Sequence, residues 1–308
     1  ITVNMLDKEI ANCALTVYNI YGGGRDAAYT PTTAGAYPEV NLIHGTVSKK
    51  SDDTDGNVFG GGLGSTAIVY SNPTVNVGYV ASTMSSLVPS GVTLKTASVT
   101  VEGNVYGGGE EAAVERGENG GGNTAVTIQQ GTPDATTTTI STTVNGDVYG
   151  GGALANVGTD ANNTTQVTLA GGTVTGSVYG GGLGQIDDPA TTDKDEAIAA
   201  LVNGTVTVTV TGGTATNVFG CNNLNGAPQS TVTVNVTGTD TPSAPAVYAI
   251  TNVYGGGNQA AYTGTPTVTV TGNSYVENVF GGGNEASVGA TNVNRRSEER
   301  RVGKECRS

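Results

Sequence analysis

A short phrase returns eight times along the chain and limits what the chain can fold into. It reads YNIYGGG, GNVFGGG, GNVYGGG, GDVYGGG, GSVYGGG, TNVFGCN, TNVYGGG and ENVFGGG, with its first glycine at Gly22, Gly60, Gly107, Gly150, Gly180, Gly220, Gly255 and Gly281. The intervals run from 26 to 47 residues, so a fixed unit carries insertions of varying length. The shortest unit, Gly255 to Phe280, shows the frame. Alternating Thr and Val precede the aromatic, as in TVTVT, which suits a strand with Val towards a core and Thr towards solvent. After the glycines a second alternation begins at Ala27, Ala112, Ala155, Ala260 and Ala286, followed two places on by Tyr29, Val114, Val157, Tyr262 and Val288. Three short strands per unit are expected, separated by Gly and Asn turns.

A unit of 26 residues cannot bury its own apolar face, so it has to stack on its neighbours. That describes an all-β parallel β-helix (β-solenoid) of about eight coils over residues 1–294, with loop insertions. At roughly 4.8 Å per coil it spans only ~34 Å along its axis. A propeller blade needs four strands and even spacing, which the shortest unit cannot supply. Composition agrees: glycine makes up 49 of 308 residues, charged residues only 13%, and Trp is absent. Within the insertion IDDPATTDKDEAIAALVNG, Asp193 and Glu196 have capping-box spacing ahead of Ile198, Leu201 and Val202, which predicts a short helix against the side of the coil.

The formal net charge of −13 repels nucleic acid and anionic membrane surfaces alike. No apolar run approaches the roughly 20 residues of a membrane helix, and the first residues carry no signal-peptide pattern. Residues 295–308 break from the rest and read as a non-native or disordered tail. Arg296 to Ser308 resembles a translated sequencing adapter. It holds five of the 13 basic and three of the 26 acidic residues, so without it 8 and 23 remain, a net charge of −15. No polar capping unit is visible at either end, so the chain reads as an uncapped piece of a longer one. Outside the tail only Cys13 and Cys221 remain, about five coil steps or roughly 24 Å apart. A disulfide needs Cα atoms within about 7 Å, so two free thiols are expected.

With its Asn-Val-Tyr/Phe-Gly-Gly-Gly phrase and Thr-Val-Thr-Val strands over nearly all of residues 1–294, the chain resembles bacterial secreted and cell-surface parallel β-helix repeat proteins of the adhesin-like class. The resemblance implies right-handed coils, as does the usual crossover preference. It also implies export to the cell surface or beyond, a stalk or display role, and no cofactor. Insertions commonly carry binding in repeat folds, so glycans or host or bacterial surface proteins are the expected partners at the corner loops.

The glycines invite a phosphate-loop reading, but GGGLGS and GGGLGQ carry Ser65 and Gln185 where a dinucleotide fingerprint needs its last glycine, and no Lys-Ser/Thr follows. Structural glycine is the better account. The preceding aromatic is Tyr21, Phe59, Tyr106, Tyr149, Tyr179, Phe219, Tyr254 or Phe280, so the ring and not the hydroxyl is what the position requires. Stacked coils make these rings a column, either a packing ladder or an exposed platform for sugar at Tyr106, Tyr149, Tyr179 and Tyr254. One place before the Val stand Asn19, Asn57, Asn104, Asp147, Ser177, Asn217, Asn252 and Asn278, which predict a stacked polar ladder.

Catalysis has thin support. His44, the only histidine, reads as an ordinary strand residue. A polysaccharide lyase or glycoside hydrolase of β-helix type is the enzymatic alternative, and it needs clustered carboxylates or acidic metal ligands. Acidic residues gather instead in SDDTDG, GEEAAVERGE and DDPATTDKDE, where solvated loops explain them. None of these is a complete calcium loop, and no metal or catalytic residue is assigned. Rows of Thr raise ice binding, but Asn76, Gln166 and Asn235 interrupt them.

Overall fold

The computed structural model describes residues 1–7, 15–50, 56–92, 98–131, 141–187, 196–242 and 248–295. The chain is almost entirely β, and eighteen of its strands join one large sheet in which successive strands run parallel. This arrangement is compatible with a β-solenoid.

Equivalent residues of successive repeats lie directly over one another. In the Thr/Val strands, Val3, Val40, Val75, Val126, Val167, Val208, Val234, Val268 and Val293 pair in an unbroken series. In the ring strands Ile20, Val58, Val105, Val148, Val178, Val218, Val253 and Val279 do the same. Both series supply one apolar interior, where most of these side chains are fully buried. A one-residue slip would turn every Val of a strand outwards, so the alternation fixes the register.

A third series closes the cross-section with single bridges: Tyr29, Val69, Val114, Val157, Val202 and Pro228 in one run, and Tyr262 with Val288 in another. Val69, Val202 and Pro228 were not legible in this role, because insertions of two, fifteen and one residues respectively move them out of step with the glycines.

Insertions are built in two ways. That after Val77 packs Tyr79 and Met84 onto Ile43, the outward-facing residue of Glu39–Val47, and so forms a small core outside the sheet. Its helix, Ala81–Met84, runs on into the 3-10 turn Ser85–Leu87 and has no side-chain N-cap, so packing and not capping holds it. The predicted helix near Glu196 is not formed in the described part. Ile198 instead exchanges backbone hydrogen bonds with Gln185, and Val202 bridges Val157 and Pro228. Joining the bridge series outweighs the local capping signal, while Asp193 lies outside the described residues. Arg295, assigned from sequence to the tail, closes strand Asn292–Arg295 opposite Val270. Residues 296–308 lie outside the described part.

The triplet glycines are required by space. None has a positive φ. A Cβ on Gly22, Gly60, Gly107, Gly150, Gly180, Gly220 or Gly255 would lie 2.3–2.5 Å from the carbonyl oxygen of the next repeat's first glycine. No side chain fits there, and the first glycine is present in every copy.

The second glycine is less strict, as Cys221 shows. It keeps the ladder, donating to Gly256 and accepting from Gly181, but both N···O distances are 3.2 Å against 2.9–3.0 Å in the four preceding steps from Gly23 to Gly181. Widening the ladder makes room for the side chain, whose sulfur enters the apolar interior and lies 3.7 Å from the Gly255 oxygen. Asn222, at the third position, donates to the carbonyls of Ala200 and Asn225.

Two substitutions at equivalent positions separate crowding from chain propensity. A Cβ on Gly151 would meet the Gly182 nitrogen at 2.8 Å, whereas the nearest atom to one on Gly282 is Val288 Cγ2 at 4.0 Å. Gly151→Ala is expected to lower stability by about 1–3 kcal/mol and Gly282→Ala to change it by less than ~0.5 kcal/mol, measured by urea denaturation. Equal losses would contradict the crowding account.

Candidate functional site: the ring column and its corner

In a strand, neighbouring side chains point to opposite faces. With Val105 or Val148 turned into the interior, the ring that follows points to the outside of the sheet. There the eight rings, Tyr21 to Phe280, form one continuous stack with centroids 4.7–4.9 Å apart and planes within 13° of parallel. The chain then turns back after the glycines and covers the stack with Ala153, Leu154 and Leu183. The result is a second apolar core outside the first.

This placement corrects the sugar-platform reading. Tyr106, Tyr149, Tyr179 and Tyr254 are only 3%, 1%, 4% and 9% exposed. Both faces of each ring are taken by its neighbours in the stack, so no face is open for a sugar. At the two ends of the column Phe280 is exposed, at 43%, and Tyr21 is half-buried.

The hydroxyls are tied down beside the stack. Tyr149 donates to Asp147 Oδ2 at 2.9 Å and accepts from Asn223 at 2.8 Å. The Tyr106 hydroxyl accepts from Asn104 at 3.1 Å, and Tyr21 donates to Glu110. Burial, foremost, pushes the phenols of Tyr106, Tyr149 and Tyr179 above the usual tyrosine range, and the negative charge of Asp147 adds to this.

The predicted polar ladder runs alongside. From Asn19 to Ser177 each side-chain oxygen accepts the backbone N–H of the next member at 2.7–3.0 Å. From Ser177 to Asn278 each amide donates to the side-chain oxygen of the member before it, at 2.8–3.2 Å. Two further ladders were missed in the sequence: Asn4, Asn41 and Asn76 on the Thr/Val face, and Asn223, Asn258 and Asn284 at the corner. Asn76, read as an interruption of a Thr row, is therefore a stacking partner. Equal spacing of Asn within the repeat was the available signal.

A cleft of about 380 Å³ lies beside the stack at this corner. Asn57, Phe59, Tyr106 and Glu110 line one part of it, and Ala153, Leu154, Leu183 to Ile186 and Leu224 the rest. Glu110 brings the predicted acidic run 109–118 to it, whereas His44 and Cys221 are not in its lining. His44 Nδ1 lies 3.0 Å from the Ser98 carbonyl oxygen, as a half-buried strand residue. Cys221 is a buried free thiol whose ionisation burial disfavours, while Cys13 lies outside the described residues. Of the acidic runs, residues 51–55 and 188–195 also lie outside. Asp160, from a separate corner, pairs with Arg116 at 3.5 Å. Among the described residues no group of three or more His, Cys, Asp or Glu is placed to hold a metal, and no helix is long and apolar enough to cross a membrane.

The column sets two expectations. Tyr149→Ala is expected to cost about 3–5 kcal/mol through the gap left in the stack. Tyr149→Phe is expected to cost about 1–3 kcal/mol, since it keeps the ring but strands the Asn223 amide. The buried phenols have folded pKa values above the unfolded value of about 10. Their contribution is therefore complete below that pH and is lost as pH rises through the folded values. In an absorbance titration they are expected to ionise together with the loss of β circular dichroism. Ionisation of all tyrosines in the native state would contradict the buried column. Set against known proteins, the chain matches no protein-family model, no curated protein and no solved structure.

Proposed function

We propose that the chain is the noncatalytic shaft of a secreted or surface-exposed bacterial protein, a right-handed parallel β-helix of eight coils whose non-repeating corner loops bind glycans or surface proteins. The observation carrying this reading is the contrast between the two parts of each repeat. The Val, ring and Asn series continue from repeat to repeat without a break, while the insertions differ in length and composition. A series of identical contacts suits a stiff spacer, and variation confined to corners suits recognition.

Placing recognition in the loops also follows from the burial of the rings, which leaves the repeated aromatic surface committed to packing. The charge of −13 keeps such a shaft away from nucleic acid and anionic membrane surfaces. The alternative lyase or hydrolase reading gains no support from Asp160, which is paired with Arg116.

A glycan array and a surface-protein binding screen, run on the chain and on variants with one corner insertion shortened, test the proposal. Binding that disappears with one insertion while the β circular dichroism is unchanged is the expected result. Cleavage of a polysaccharide that depends on a pair of carboxylates would overturn it.

A further inference from the structure

The cleft beside the ring column has walls made for a particular chemistry. We propose that it binds an extended peptide segment carrying one basic side chain next to aliphatic ones, with the basic group at Glu110. This rests on the shaft-and-corner reading above and names the corner and the partner.

The walls are fixed before any ligand arrives. Successive corners are bonded to one another: Leu154 N donates to Glu110 O at 2.7 Å, Gly184 N to Ala153 O at 2.9 Å and Leu224 N to Leu183 O at 2.9 Å. Gln185 is held on both sides, by two backbone bonds with Ile198 and by the Asn225 amide on its carbonyl at 2.9 Å. A preformed cleft avoids the ordering cost that a loop site would incur on binding. Its lining comes from five successive repeats, from Asn57 to Leu224, so it runs along the stack and suits an extended chain.

Seven of the eleven lining residues are apolar or aromatic, and the rim carries Ile186, which is 50% exposed. A wall of this kind favours aliphatic groups over the dense hydroxyls of a glycan. Among the described residues Glu110 is the only charge in the lining. Its equivalents after the other glycine triplets are Arg25, Leu63, Ala153, Leu183, Asn223, Asn258 and Asn284. One carboxylate oxygen accepts the Tyr21 hydroxyl, and no hydrogen bond from a described residue to the other is formed. A half-buried carboxylate with an open oxygen, beside apolar walls and on an acidic protein, is complementary to a Lys or Arg side chain. The stem of that side chain can lie along the leucines while its head meets the charge.

The test is selection from a random peptide display library on the intact chain, followed by affinity measurement on synthetic copies of the enriched peptides. The expected result is enrichment of peptides with Lys or Arg within two places of Leu, Ile or Val. Their affinity should fall about tenfold or more on Glu110→Gln, which retains an acceptor for Tyr21. Glu277→Gln, which removes the same charge far from the cleft, should change affinity less than about twofold, and Ile186→Ser should weaken binding without altering the fold. Absence of enrichment, or equal losses on Glu110→Gln and Glu277→Gln, would overturn the assignment. Glycan binding abolished by Glu110→Gln would assign the cleft to sugar and also overturn it. If shortening another corner abolishes surface binding while peptide selection fails, the shaft proposal stands and the cleft assignment alone falls.

Discussion

Everything in this molecule depends on how closely one repeat can approach the next. Parallel strands from successive repeats hydrogen-bond at a spacing set by the backbone, and at the glycine triplet the approach is so tight that a methyl group would strike the neighbouring carbonyl. The first glycine therefore acts as a spacer of zero size. Because it holds each repeat directly over the one before, identical residues meet identical residues, and a favourable self-contact is repeated down the chain.

The ring column and the Asn ladders are consequences of that alignment. A flat ring packs well on a copy of itself at the backbone spacing, and the observed centroid distances of 4.7–4.9 Å match it. An amide both donates and accepts, so a row of Asn can bond along its length. Asp147 and Ser177 interrupt the row chemically without breaking it, because Asp147 accepts from the next backbone N–H and Ser177 offers its hydroxyl oxygen to Asn217. Conserving the backbone path, the structure tolerates Phe for Tyr and Ser or Asp for Asn, and admits Cys at the second glycine through a slightly longer ladder.

The same economy leaves the corners as the place for the proposed recognition. Two apolar cores lie on opposite sides of the ring strand, and together they take up its repeated Val and aromatic side chains. What is left outside the cores is the part of each unit that does not repeat. There the residue after the glycines changes from Leu63 to Glu110, Ala153 and Leu183 in successive repeats, and the cleft is lined by the last three.

The amino-acid order by itself determined that the chain is β, that its repeats stack in register, that the rings form a column and that Asn19 to Asn278 form a ladder. Each follows from a period of two within the strand and a recurring phrase between strands. The side of the sheet on which the rings are buried, and what buries them, came only from the tertiary structure. Val105 and Tyr106 necessarily point apart, but whether the outer face meets solvent or a folded-back corner depends on the path of the chain after the glycines. Likewise Val69, Val202 and Pro228 share one bridge series despite unequal spacing, and the helix near Glu196 is lost to that series. Contacts between residues brought together by insertions of different length leave no common period for a sequence to display.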